Sequence, residues 1–141
     1  MVRVEVLKNY LVEILNSLQK EYKTFNVNFL PSDVDNYSLN KIPTRTKKEV
    51  DITGNRINKE VYVLSSRNQY SSNIALNIAN MGFWEAFEDK IYSNNENGIL
   101  PSIEGIIKIE CLNCGSLTRA QTQTCEMSIQ IQIEYEVREE N

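Results

Sequence analysis

The clearest pattern in the chain runs from Cys125 to Arg138, where Ile129, Ile131, Ile133, Tyr135 and Val137 alternate with Gln130, Gln132, Glu134, Glu136 and Arg138. A period of two built from β-branched and aromatic residues predicts a long β-strand with one buried and one wet face. At the other end, Val6, Leu7, Tyr10, Leu11, Ile14, Leu15, Leu18 and Tyr22 recur at the helical period, predicting an amphipathic helix within 2–22 that covers its own sheet.

Between these two elements the pattern changes several times. Phe25, Val27 and Phe29 alternate with Asn26 and Asn28, predicting a short strand that Pro31 ends. The segment from Ser32 to Pro43 holds Asp33, Asp35, Asn36, Ser38 and Asn40, turn-favouring residues that predict a long surface loop. Two strand-like runs, 45–52 and 57–65, flank Thr53-Gly54-Asn55-Arg56 and predict a hairpin. In its second run Val61 and Val63 alternate with Tyr62 and Leu64, so both faces are apolar, as in a central strand or one that meets another subunit.

Tyr70 to Asn97 is helical in pattern, with Ser71 or Ser72 as the cap and Gly82 dividing it into two segments. Leu100-Pro101 leads to a strand over 106–113, and Cys114 to Thr124 reads as a polar connection. The predicted fold is one α+β domain over 1–141. It has a mostly antiparallel sheet of about five strands, with the N-terminal helix and a central helix or helix pair packed on one face.

Composition narrows the functional classes. The chain has 141 residues, 41% apolar and 24% charged, enough to bury a core without disulfides or metals. A net charge of −4 without a clustered basic excess argues against a general nucleic-acid binder. No apolar run approaches a membrane span, and the amphipathic opening does not resemble a signal peptide. Three cysteines, an odd number, fit free thiols in a reducing cytoplasm. The absence of histidine removes the commonest general base and metal ligand.

Candidate chemistry is sparse. Cys111-Leu112-Asn113-Cys114 has zinc or redox spacing, with Cys125 as a third thiol, but it ends a strand and does not open a helix. Small residues around a β-turn explain it better. Glu85, Glu88 and Asp89 form a solvated helix face, and Glu134 and Glu136 an exposed strand face. Neither group marks a catalytic dyad, and no phosphate-binding glycine loop is present. Arg45, Lys47 and Lys48 read as a basic strand edge that discourages aggregation. No catalytic residue, cofactor or metal is assigned.

Three segments together resemble a known family: 65–70 (Ser-Ser-Arg-Asn-Gln-Tyr), 77–87 (Asn-Ile-Ala-Asn-Met-Gly-Phe-Trp-Glu-Ala-Phe), and Leu100-Pro101 followed by the Ile129–Tyr135 strand. In this order they are similar to the "minor capsid protein" family of phages of Gram-positive hosts, which is related to tail terminator, or tail completion, proteins. The likeness covers 58–137, and the N-terminal third only by element order. Where the family's last strand usually enters through an alanine-arginine-aromatic step, this chain has Cys125-Glu126-Met127.

The resemblance implies a non-enzymatic virion structural protein. Such a protein forms a ring, usually a hexamer, on the head-proximal end of a tail tube. It ends tube polymerisation and meets a neck or collar protein, and in contractile tails the sheath. It is assembled in the host bacterial cytoplasm, without a membrane partner, and any DNA passes through the lumen. A similar protein caps headless tail-type bacteriocins. The alternatives are a head-completion connector at the portal side and a small α+β enzyme or binding domain with Phe83, Trp84 and Phe87 lining a pocket.

Within the ring reading, Gln130, Gln132, Glu134 and Glu136 are expected to border the lumen, where carboxylates repel a DNA backbone. Arg45, Lys47, Gly54, Asn55, Arg56, Tyr62 and Leu64, with the 32–43 segment, are expected to contact the tube or a neighbouring subunit.

Overall fold

The protein is described by a computed structural model covering residues 2–42, 47–50, 52, 54–70, 73–121 and 123–137, with 47–50 described by their backbone. The described residues form two helices, α1 (Arg3–Ser17) and α2 (Ile74–Glu96), and seven strands in one sheet. The strands are β1 (Thr24–Val27), β2 (Asn36–Lys41), β3 (Lys47–Val50), β4 (Arg56–Gln69), β5 (Ile106–Cys111), β6 (Ser116–Ala120) and β7 (Thr124–Val137).

The axis of the sheet is the antiparallel pair β4–β7, in register from Arg56↔Val137 to Gln69↔Thr124. β2 and β3 lie along the outer side of β4, and β5 and β6 along the outer side of β7. All pairings are antiparallel except β1–β2, so the α+β class, the mostly antiparallel sheet and both helices match expectation.

Alternation determines which face each side chain takes. Along β7, Cys125, Met127, Ile129, Ile131, Ile133 and Tyr135 are buried, and the residues between them are half-buried. Across the ladder β4 contributes Tyr62 and Leu64, and β2 contributes Tyr37 and Leu39. Leu7, Tyr10, Leu11, Ile14 and Leu15 of α1 complete the core with Trp84, Phe87 and Ile91 of α2. Phe25, Tyr37, Phe83, Trp84 and Phe87 form a continuous aromatic chain, with neighbouring ring centroids 5.2–6.4 Å apart. Trp84 and Phe87 are therefore core residues and do not line a pocket. Where the two helices meet, Tyr10 receives a bond from Asn94 Nδ2 (3.1 Å) and donates to the Ile99 carbonyl (2.9 Å).

Three elements differ from the sequence-based expectation. The predicted loop after Ser32 contains β2 from Asn36 to Lys41, held between β1 and β4. The polar connection after Cys114 contains β6, whose five residues are all exposed. α2 is continuous through Gly82, because that residue lies on the exposed side where no neighbour demands a bend. Its cap is Asn73, whose side chain accepts from the Leu76 amide at 3.2 Å; Ser71 and Ser72 lie outside the described residues.

Candidate functional site

With α1 and α2 on one face, the other face of β4 and β7 has no helix among the described residues. Ile57, Lys59, Val61, Val63, Ser65 and Arg67 of β4 pair across it with Glu136, Glu134, Gln132, Gln130, Ser128 and Glu126 of β7. At one end the chain folds over this face before entering β2. The Phe29 amide donates to Ser38 Oγ (3.1 Å), Arg67 Nε donates to the Pro31 carbonyl (3.3 Å), and Asn36 Nδ2 donates to Asp33 (3.1 Å). These bonds explain why polar Asn36 and Ser38 are buried on a face without a helix.

The predicted row Gln130, Gln132, Glu134 and Glu136 thus occupies one side of β7, half-buried by its neighbours. Its carboxylates are not a bare acidic strip. Glu134 lies 3.9 Å from Lys59 Nζ and 3.4 Å from Lys108 Nζ, and Lys108 also reaches Glu110 at 3.6 Å. Gln132 Nε2 donates to Glu110 (3.1 Å), and Asn55 Nδ2 donates to Glu136 (2.6 Å). Glu110, first, and Glu134 raise the pKa of Lys108, keeping it charged. Repulsion of DNA by a bare carboxylate row is therefore not supported; the surface is a ladder of mixed charge.

The predicted contact set divides. Gly54, Asn55 and Arg56 lie together at the β3–β4 turn, confirmed as a hairpin by the Val50↔Arg56 pairing and by a left-handed Gly54 (φ 87°), while Lys47 starts β3 at the far end of that ladder, opposite Lys59. Asn55 links that turn to the end of β7 through Glu136. Arg45 lies outside the described residues. Tyr62 and Leu64 are a correction: at 2% and 0% exposure they belong to the core, because β4 turns that parity toward the helices. The second apolar face of β4 is instead made by Ile57, Val61 and Val63. Within the 32–43 segment Asn36, Tyr37, Ser38 and Leu39 are buried, whereas Ser32, Asp33, Asn40 and Lys41 are exposed.

The C-x-x-C motif forms no three-thiol site. Cys111 pairs with Ile131 and Cys125 with Asn68, which separates the two by six residues of β7, about 20 Å of strand. Burial, followed by Glu88, Glu110 and Cys114, pushes the Cys111 thiol up to about 12, far from a reactive thiolate.

Sequence reasoning missed a charged cluster at the start of α1. Glu60 falls at the core parity of β4, and its side chain is fully buried. Arg3 donates to it through Nε (2.6 Å) and Nη2 (2.9 Å), Lys41 Nζ donates at 2.7 Å, and Tyr62 OH donates at 3.3 Å. Burial alone pushes this carboxyl up, but the bonds and charges of Arg3 and Lys41 outweigh it and hold the pKa at about 2. A charged residue at an apolar parity was the available signal. The cluster ties α1 to two strands and adjoins an open groove of about 960 Å³, lined by Arg3, Val6, Ser102, Glu104 and Tyr135. Arg3, the guanidinium facing that groove, is already engaged by Glu60 and stacked 4.9 Å over the Tyr135 ring.

Neither α1 nor α2 is long and apolar enough to cross a membrane. No model of a known protein family matches the chain, and no curated protein matches it in sequence.

Proposed function

We propose that this chain is a structural protein of a phage tail or tail-like particle. In this reading it forms a ring, of six copies by analogy, on the head-proximal end of the tail tube, stops tube growth and meets a neck or collar protein. The observation that carries the reading is the helix-free face running the whole length of β4 and β7. An antiparallel sheet can leave one face to water, and the half-buried face of Val61, Val63, Gln130 and Gln132 is an extended surface that a ring can turn toward its lumen. The family-like segments support it too, falling at the exit of β4, within α2, at the approach to β5 and within β7.

In this arrangement the row from Gln130 to Glu136 borders the lumen as a mixed-charge lining that neither grips nor strongly repels a passing duplex. The β3–β4 hairpin, with Lys47 on β3 and Gly54, Asn55 and Arg56 at its turn, reaches the tube or a neighbouring subunit. Purified tube protein imaged by negative stain with and without this chain tests the reading. Capped tubes of limited length are expected. Unchanged tube ends at every ratio, together with no ring in sedimentation, would sink it. A cryo-EM ring with Gln130 and Gln132 on its outer wall would reject the lumen placement alone.

A further inference from the structure

The first half of α2 presents an apolar stripe that is exposed among the described residues. Ile74, Ile78 and Met81 are 73%, 65% and 42% exposed, and their spacing of four and three puts them on one stripe. Ala75, Ala79 and Gly82, also exposed, form a row of small residues beside it. From Asn73 to Trp84 the chain carries no charge, and the next residue on the stripe, four beyond Met81, is Glu85. The buried side of α2, through Trp84, Phe87 and Ile91, faces elsewhere.

We infer that two copies of this protein associate through this stripe, their α2 helices antiparallel about a two-fold axis between Ile78 and Met81. That register sets Ile78 of each copy against Met81 of the other. It also sets Glu85 against Ile74, the first residue of the opposing helix. The electrostatics select a second copy as the occupant. α2 has no acidic residue in its first turn, and its positive end carries the neutral Asn73 cap. The antiparallel register supplies Glu85 to that end twice, once from each copy, and brings no like charges together in an otherwise acidic protein. The small-residue row lets the helices approach closely.

The apolar stripe is of the few-hundred-Å² class, smaller than the roughly 800 Å² per partner of a stable interface. The association is accordingly weak and concentration-dependent. An isologous contact closes on itself, so it pairs copies or whole rings and does not build a ring. The inference therefore stands apart from the proposed tail role.

Sedimentation equilibrium over a wide concentration series tests it, using the full chain and its Ile78→Asp, Glu85→Lys and Leu117→Asp variants. Leu117 is a control on exposed β6. A monomer–dimer equilibrium is expected for the native protein, with Kd raised at least about tenfold by Ile78→Asp, several-fold by Glu85→Lys, and unchanged by Leu117→Asp. All three sites are exposed, and unchanged far-UV circular dichroism confirms the fold. In a Cys114→Ser background, oxidation of mixed Ile78→Cys and Met81→Cys proteins should give a heterodimer in preference to either homodimer. A monomer at every concentration overturns the inference, as does association that survives Ile78→Asp or is lost with Leu117→Asp. If tubes stay uncapped while the dimer obeys these variants, the tail role alone has failed.

Discussion

Asn95, in the last turn of α2, uses its side-chain amide as a substitute strand for Ile109. Its Oδ1 accepts the Ile109 amide at 2.9 Å and its Nδ2 donates to the Ile109 carbonyl. β5 is an edge strand paired only with β7, and the groups of Ile109 that point outward are those another chain would seek. One side chain therefore closes the edge and fastens the helix to the sheet. Replacing Asn95 by Ala removes both bonds and is expected to cost about 2 kcal/mol. Urea unfolding should show the loss, and light scattering of the folded variant should show faster aggregation through the opened edge.

Glu60 makes acid stability predictable in sign. Its folded pKa of about 2 lies below the ordinary carboxylate value, so its contribution is present above about pH 5 and is lost as pH falls toward 2. Because the Arg3 and Lys41 head groups are nearly half exposed, the contribution is discounted to about 2 kcal/mol. Glu60→Gln should lower stability at pH 7 and flatten its decline between pH 5 and 2. If native and variant lose stability in parallel over that range, the carboxylate is not the source.

Three glycines should respond differently to alanine. Gly105 has φ of 76° and its carbonyl accepts from the Glu136 amide (2.8 Å), and a Cβ there would strike the Glu136 backbone. A Cβ on Gly115 would enter the Trp84 ring. Each change is expected to destabilise by about 2 kcal/mol or more. Gly82, mid-helix with open space around it, should instead gain about 0.5–1 kcal/mol. Thermal melts at one protein concentration, low enough to keep the chain monomeric, should place the three on opposite sides of the native protein.

Thiol labelling gives a simple check on the C-x-x-C segment. Cys114 is exposed, Cys111 half-buried with its pKa pushed up, and Cys125 buried. One thiol should react quickly with Ellman's reagent at neutral pH, and the other two only on unfolding. Two fast thiols would contradict the described packing.

The two amphipathic elements were the most legible parts of the chain. α1 and β7 each bury the stripe that their period predicts, because each is covered on one side only. β2 was hidden by its own polarity: Asn36 and Ser38 are satisfied by side-chain and backbone bonds from a returning segment, a tertiary arrangement with no local signature. β6 gave no alternation because neither of its sides is buried. The error at Tyr62 and Leu64 arose because both parities of β4 are apolar, and only the partner strands decide which faces the helices. The Glu60 cluster and the Asn95 plug join residues far apart in sequence, and no local pattern links them.

The long β4–β7 ladder imposes a schedule on biosynthesis. Arg56 waits for Val137, 81 positions later, so the middle strand of the sheet is translated long before its chief neighbour exists. Until then its core-facing side has no Ile129, Ile131 or Ile133 beside it, and collapse remains incomplete. A ribosome-bound nascent chain stopped before residue 124 should stay protease-sensitive throughout, and the domain should become resistant in one step once the final strand has cleared the exit tunnel.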